Sequence, residues 1–178
     1  MNIHMNWTSG LRPGTAKNDF PGTDLCELVS QMPLGRLLPP GVLMCADLPT
    51  HPCSAAIETR RIREILVDLV LNARAAVGRE GVVHIGIDRV VSPPAQGRPA
   101  LTWIQIEVSD SGPRLAPAAA ALLFDPSFSE VGQGLGLSGA ALLVAQSGGS
   151  MKLVGDASDG NTVRVRIPAF PALPALSA

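Results

Sequence analysis

The feature that most restricts the fold is the segment 57–77, which contains neither glycine nor proline. Its apolar side chains recur at steps of three and four residues, which is typical of an amphipathic helix packed on a core. They are Ile62, Ile65, Leu66, Leu69, Ala73, Ala76 and Val77. A polar stripe follows another line of the helix at the same steps and consists of Arg61, Glu64, Asp68 and Asn72. The segment therefore predicts about six turns of helix with one buried side and one polar stripe.

The rest of the chain predicts further helices and strands in mixed order. Alternating apolar and polar residues indicate strands at 82–90 and 101–109, joined by a loop at 92–100. Other predicted strands are 41–46, 151–155 and 163–167, the last two joined by a turn at 158–161. Other predicted helices are a short one capped by Thr23 and Asp24, one at 115–123, and one from the glycine-rich residues 132–136 to about Gln146. This order favours an α/β (α+β) two-layer sandwich, in which about three helices cover one face of a mixed, mostly antiparallel sheet.

The length of 178 residues fits one domain with short tails. Residues 1–22 are polar and rich in glycine, proline and asparagine, and are predicted to form a flexible lead. Residues 169–178 are predicted to be a proline-rich tail that cannot continue a sheet. The folded domain is therefore expected to span 23–168.

Composition excludes several classes of partner. Lys and Arg number 14 against 15 Asp and Glu, so the net charge of −1 gives no general attraction to nucleic acid. The three cysteines show no metal-site spacing, and the uncharged residues 131–151 contain too much glycine to span a membrane. The N-terminal residues lack the pattern of a secretory signal. We therefore expect a cytoplasmic location and no direct membrane span.

Two features of the predicted strands and helices are suited to ligand binding, and each has a plain structural alternative. The amide oxygen of Asn72 is a suitable ligand for Mg²⁺, and Asp68 lies one turn earlier, but both also fit a solvated helix face. The carboxylate of Asp110 ends a strand and is able to accept a hydrogen bond from an exocyclic amine. Gly112 lets a flat ring approach the backbone, although the same residues suit an ordinary turn.

A third feature is the glycine triplet Gly132, Gly134 and Gly136 before a predicted helix. Backbone N–H groups at a helix N-terminus form a cradle for phosphate oxygens. The triplet lacks the lysine of a P-loop, so a flexible loop is the alternative.

Five segments in this order resemble a known family. They are DLVLNARAA at 68–76, DSG at 110–112, LFDPSF at 123–128, GQGLGLS at 132–138 and GNTVRVRIP at 160–168. The combination resembles the ATP-binding catalytic domain of bacterial sensor histidine kinases, in the GHKL superfamily shared with DNA gyrase. The resemblance covers about residues 24–168 and implies ATP and Mg²⁺ as ligands.

The resemblance also implies roles for individual residues. Asn72 matches the asparagine that ligates Mg²⁺, Asp110 matches the acid that binds the adenine amino group, and Thr162 matches a hydroxyl that helps Asp110 hold the base. Gly112 matches the glycine that lies against adenine. Phe124 and Phe128 match the phenylalanine motif beside the mobile lid. Gly132, Gly134 and Gly136 match the glycines that hinge the lid and meet the phosphates, and Leu135 is included among the ATP-binding residues. Asp68 stands where gyrase-like ATPases carry a carboxylate that activates water.

The chain departs from the family pattern at the first glycine motif and at the lid. Arg114 occupies the place of a second glycine, and residues 129–131 form a shorter lid than is usual. Glu130 stands where a cation is common, and its charge opposes the triphosphate by about 1 kcal/mol. These departures favour weakened nucleotide binding.

No histidine of this chain has the setting of a phosphate acceptor. His4, His51 and His84 fit surface or sheet positions, and no helical hairpin fits before Asp24. The leading hypothesis is therefore the catalytic module of a two-component sensor histidine kinase, which positions MgATP for transfer to a histidine on a separate or missing dimerisation hairpin. A response regulator is a further expected partner. The alternatives are a non-catalytic docking or regulatory module with an impaired lid, and a GHKL ATPase that uses Asp68.

Overall fold

A computed structural model of the chain describes residues 22–93, 100–116, 124, 136–154 and 160–170. Within these ranges the α-helices are α1 (Leu25–Gln31), α2 (Thr59–Val77) and α3 (Gly136–Gln146), with a short 3₁₀ helix at Leu34–Leu37. The strands are β1 (Thr23–Asp24), β2 (Val42–Asp47), β3 (Ser54–Ala55), β4 (Gly81–Ser92), β5 (Leu101–Asp110), β6 (Ser150–Val154) and β7 (Asn161–Pro168).

Five of these strands form one sheet in the order β2-β4-β5-β7-β6. Strand β2 runs parallel to β4, and the other neighbours are antiparallel. Alternate side chains are buried along β7, at 83, 85 and 87 of β4 and from residue 104 to residue 110 of β5, so the strand period of two places one face of this part of the sheet in the core. The predicted mixed, mostly antiparallel sheet is thereby confirmed.

The helices cover that apolar face. Helix α2 contacts β4, β5 and α3, and its side chains Ile62, Ile65 and Leu66 are fully buried. Helix α1 begins as predicted, because the Asp24 carboxylate accepts a hydrogen bond from the Cys26 N–H at 2.9 Å. The predicted two-layer sandwich is confirmed.

A second, two-stranded sheet was not predicted. Strands β1 and β3 pair antiparallel, and the chain after β7 joins them. The Ala169 N–H donates to the Thr102 carbonyl at 3.0 Å, and the Phe170 N–H donates to the Ser54 carbonyl at 2.8 Å. The prediction that sheet pairing stops at residue 168 is therefore wrong by two residues. A proline at the end of a strand does not prevent the backbone N–H groups of the following residues from donating hydrogen bonds.

Several predictions fall outside the described residues. They concern the lead up to residue 21, the loop residues 94–99, the helix residues 117–123, the turn residues 155–159 and the tail from residue 171. Residues 115 and 116 are described and are not helical. Among the residues that the structure describes, no helix is both long and apolar enough to cross a membrane.

Candidate functional site

The site is centred on Asp110, where β5 ends. Its side chain is only 8% exposed, and it lies directly opposite Asn161 in the antiparallel register of β5 and β7. The carboxylate oxygen Oδ1 accepts two hydrogen bonds, from the Gly112 N–H at 2.9 Å and from the Asn161 amide at 3.1 Å. A buried carboxylate therefore has two fixed donors on one oxygen.

The strand period explains why these two polar side chains meet. Side chains of β5 at 104, 106 and 108 are buried, and Asp110 continues that series. On β7 the buried residues at 163, 165 and 167 place Asn161 on the same face. Both polar groups therefore lie at the end of the core, where a buried polar atom needs a hydrogen-bond partner.

The turn that follows Asp110 is fixed from the side of β4. The Ser111 N–H donates to the Val82 carbonyl at 3.0 Å, and the Val82 N–H donates to the Ser111 hydroxyl oxygen at 2.9 Å. These two hydrogen bonds continue the pairing of β4 with the chain that follows β5. The backbone beside the Asp110 carboxylate is consequently held in one place.

Gly112 joins this turn to α2. It is buried, and a Cβ at this position would overlap the carbonyl oxygen of Ala76. Ala76 lies one helical turn after Asn72, so both residues occupy one face of α2. The structure therefore brings the Asp110 turn to the helix face that carries the half-buried Asn72. Asp68, one turn earlier, is 6% exposed.

The structure corrects the expected role of Thr162. Its hydroxyl lies on the face of β7 opposite to Asn161 and shares a 2.9 Å hydrogen bond with the Ser109 hydroxyl. Because neighbouring residues of a strand point to opposite faces, Thr162 and Asp110 do not share a side of the sheet. The residue that meets Asp110 is Asn161, which the sequence analysis missed.

The alternation of core-facing and outward-facing residues along β7 is the sequence signal that identifies Asn161. Once Val163 and Val165 are assigned to the core, a period of two places residue 161 with them and residue 162 on the other face. Residue type alone favours the hydroxyl of Thr162. Ser111 was also missed, because its role depends on pairing with β4.

The remaining predicted site residues are described only in part. Phe124 is half-buried and packs against the core cluster. Gly136 opens α3 with a φ of 64°, a backbone conformation that favours glycine. Arg114 is exposed. Phe128, Gly132, Gly134 and Leu135 lie outside the described residues, as does Glu130.

Burial also makes the ionisation of Asp110 costly. It raises the pKa of the carboxyl above its ordinary value of 3.8, while the hydrogen bonds from Asn161 and Gly112 act in the opposite direction. Because the folded-state pKa is the higher one, this group contributes its full stability below pH 3.8, and loses it as the pH rises through the raised pKa.

We expect Asp110→Asn to raise the thermal unfolding midpoint of the ligand-free chain at neutral pH. Asparagine cannot ionise and still offers an oxygen to the two donors. The gain should disappear below the ordinary pKa of 3.8, where the wild-type carboxyl is protonated. Unfolding followed by circular dichroism across a pH series measures the difference, and a gain that does not depend on pH would contradict the assignment.

Gly160, immediately before β7, is expected to tolerate no side chain. Its φ is 86°, and a Cβ would overlap the carbonyl oxygen of Asp110. We expect Gly160→Ala to lower the free energy of unfolding by about 2–3 kcal/mol in urea titrations. Gly35→Ala is the control, because the nearest atoms to its Cβ lie at 3.9 Å. Equal losses in the two variants would contradict this close approach.

Comparison with known proteins gives the family of the chain. Residues 57–171 match the family model described as histidine kinase-, DNA gyrase B- and HSP90-like ATPase. The sensor histidine kinase ZraS of Klebsiella oxytoca is 32% identical over 101 residues, which are 56% of this chain and 20% of that protein. ZraS of Salmonella typhimurium is 30% identical over 115 residues, 61% of this chain and 22% of that protein. The chain thus spans about a fifth of the length of these relatives.

Solved structures show the same fold. The mycobacterial sensor histidine kinase MprB has a TM-score of 0.68 at 18% identity, over 85% of this chain and 100% of that one. Full-length ShkA, solved in complex with AMPPNP, has a TM-score of 0.62 at 25% identity, over 88% of this chain and 32% of that one. The resemblance inferred from the five sequence segments is confirmed. This chain belongs to the histidine kinase-, DNA gyrase B- and HSP90-like ATPase family.

Proposed function

We propose that this chain binds MgATP and transfers its γ-phosphoryl group to a histidine on a separate helical hairpin. The observation that carries the proposal is the buried carboxylate of Asp110, whose Oδ1 is held by two donors at 2.9 and 3.1 Å. The other oxygen, Oδ2, then accepts a hydrogen bond from the adenine amino group. A carboxylate fixed before the base arrives loses little freedom on binding.

Gly112 contributes to the proposed base site through its backbone. Its N–H holds Asp110 Oδ1, and its missing side chain lets the turn pack against the Ala76 carbonyl of α2. The complex of full-length ShkA with AMPPNP supports the choice of an adenine nucleotide. We therefore propose Asp110, Gly112 and Asn161 as the residues of the base site. Asn161 takes the role that the family resemblance gave to Thr162.

Asn72 is the residue that we propose to hold Mg²⁺. Its amide oxygen is a hard ligand, and its helix face lies beside the Asp110 turn, so a nucleotide bound there extends its phosphates along α2. When bound, Mg²⁺ supplies positive charge to the triphosphate. Asn72 orients the phosphates through this contact.

The start of α3 is proposed to receive the phosphate oxygens. Gly136 lies at its N-terminus, where backbone N–H groups attract anions. We include Phe124, which belongs to the phenylalanine motif beside the lid, among the ATP-binding residues. The proposal extends to Phe128, Gly132, Gly134 and Leu135, which lie outside the described residues.

The proposed reaction is a displacement at the γ-phosphorus. An imidazole nitrogen of the hairpin attacks it, the bond to the bridging oxygen breaks, and ADP leaves. The chain contributes by positioning the nucleotide rather than by covalent chemistry. A response regulator that later receives the phosphoryl group is a proposed second partner.

The second candidate is ATP hydrolysis. It is favoured by the position of Asp68, a buried carboxylate one turn before Asn72 on α2. A carboxylate there is suited to activating water. A docking module that does not bind nucleotide is not favoured by the family match.

Labelled ATP distinguishes transfer from hydrolysis. The chain is mixed with γ-labelled ATP and a purified hairpin domain that carries a phosphoacceptor histidine. We expect acid-labile label on the hairpin and little change in its rate with Asp68→Asn. Label that appears only as free phosphate, and that Asp68→Asn abolishes, would contradict the kinase and support the ATPase.

A further inference from the structure

Two of the three cysteines of this chain lie in contact at the start of α1. Cys26 is the second residue of α1, and Cys53 lies immediately before β3. The Leu25 N–H donates to the Cys53 carbonyl at 3.1 Å, so the two segments are joined at this point. The Cys26 and Cys53 thiols share a hydrogen bond, which places their sulfur atoms next to each other.

The backbone around the two cysteines is held by further hydrogen bonds. Strand β1 pairs with β3 in a register that sets Asp24 opposite Ser54, and the next step of that register reaches Cys53. The Asp24 carboxylate accepts from the Cys26 N–H at 2.9 Å, and the Phe170 N–H donates to the Ser54 carbonyl at 2.8 Å. The contact between the thiols therefore follows from the backbone pairing of this part of the fold.

The cysteines differ in their access to solvent. Cys53 is fully buried in the core, whereas Cys26 is half-buried. The third cysteine, Cys45, is exposed on β2, in the other sheet. A small oxidant therefore reaches Cys26 before Cys53, and Cys53 lies behind it as the second thiol of a pair.

We propose that Cys26 and Cys53 form a redox-sensitive pair that a peroxide converts into an intramolecular disulfide. The link joins α1 to the chain before β3 and thereby to the core. It goes beyond the proposed nucleotide chemistry and uses none of the residues of that site.

The reaction is a two-electron oxidation of the pair by hydrogen peroxide. The Cys26 sulfur attacks one peroxide oxygen, the O–O bond breaks, and the departing hydroxide takes up the thiol proton as water, which leaves a sulfenic acid on Cys26. The Cys53 sulfur then attacks the sulfenic sulfur, the S–O bond breaks, and the hydroxyl leaves as water with the Cys53 proton. Two thiols and one peroxide thus give one disulfide and two water molecules.

Burial affects both the rate of this oxidation and the stability of the link. Burial raises the pKa of Cys26 to about 12, with a further contribution from the hydrogen bond with Cys53, and it also raises the pKa of Cys53. Of the charges that act on the pair, Asp24 and Asp88 support this direction and Arg89 opposes it. Because the thiolate is the attacking form, oxidation is slow at neutral pH and accelerates as the pH rises. Thiolates that are not stabilised in the reduced protein favour the disulfide once it has formed.

The test identifies the link in the full chain. Reduced protein is treated with hydrogen peroxide at mildly alkaline pH, unfolded with an alkylating agent, digested and analysed by mass spectrometry. We expect one pair of cross-linked peptides, which contains Cys26 and Cys53 and which dithiothreitol separates. Cys45→Ser is the matched control, because it removes the exposed cysteine and should form the same link.

The link should also stabilise the fold against heat. A disulfide restricts the unfolded chain, so we expect the oxidised wild type to unfold about 10 °C above the reduced protein. Cys45→Ser should show the same rise on oxidation, whereas Cys26→Ser and Cys53→Ala should show none. Cys26→Ser leaves the buried Cys53 in place, so it tests the link even if Cys53→Ala fails to fold by circular dichroism.

The outcomes are independent of nucleotide binding. Absence of the cross-linked peptides after oxidation, or a link in which Cys45 replaces either cysteine, would overturn the proposal. A rise in the unfolding midpoint that persists in Cys26→Ser would also overturn it. Failure of the chain to bind MgATP would overturn the proposed function and leave this inference intact.

Discussion

Replacing Asp110 with asparagine is expected to weaken ATP binding by about 100-fold, because a hydrogen bond to a buried charged acceptor is worth about 2–3 kcal/mol. Asparagine keeps an oxygen for the donors from Gly112 and Asn161. Its amide nitrogen then faces the adenine amino group, so that two donors meet. Calorimetric titration with MgATP measures the loss.

The same substitution is expected to raise the stability of the ligand-free chain at neutral pH, as the raised pKa of Asp110 requires. Loss of binding therefore cannot be attributed to unfolding. Asp88→Asn is the matched control, because Asp88 is exposed on β4 and its carboxylate accepts a hydrogen bond from the adjacent Arg89 N–H. Unchanged ATP affinity in Asp110→Asn would remove the base site from this turn.

Asn72→Ala is expected to abolish the contribution of Mg²⁺ to nucleotide binding and to slow phosphoryl transfer by about 100-fold, because the metal provides several kcal/mol of charge stabilisation. ATP affinity is measured with and without Mg²⁺. The wild type should bind more tightly with the metal, whereas the variant should bind equally in both conditions.

Two control variants test whether the Mg²⁺ effect depends on an oxygen ligand at position 72. Asn72→Asp keeps an oxygen that binds Mg²⁺ and should retain the metal effect. Arg63→Ala changes an exposed residue of the same helix and should behave as the wild type. A metal effect that persists in Asn72→Ala would place the Mg²⁺ ligand elsewhere.

The sequence predicted the long helices and strands, in which apolar residues recur at regular spacing. Helix α2 is confirmed at Thr59–Val77, inside the predicted 57–77. Five of the seven predicted apolar positions are buried, namely Ile62, Ile65, Leu66, Leu69 and Ala73, whereas Ala76 and Val77 are half-buried. Strands β4 and β5 are confirmed by their alternation. Strands β1 and β3 contain two residues each, which is too short for any period, so their pairing became visible only in the fold.

The candidate site was predictable to the extent that it depends on residue type. Asp110 and Gly112 lie together, beside the helix that carries Asn72, as the motifs implied. Asn161 was missed because its role depends on the register between β5 and β7, which no motif encodes. The period of two in β7 places residue 161, rather than residue 162, on the core face with Val163 and Val165.

The central claim is that this chain binds MgATP between the Asp110 turn and α2. Titration of the wild-type chain with MgATP by isothermal calorimetry tests it most directly, with Asp110→Asn titrated in parallel. We predict a saturable isotherm with one nucleotide bound per chain, and little or no saturable heat for the variant. A wild-type titration that shows no binding heat, or equal isotherms for the two proteins, would contradict the account.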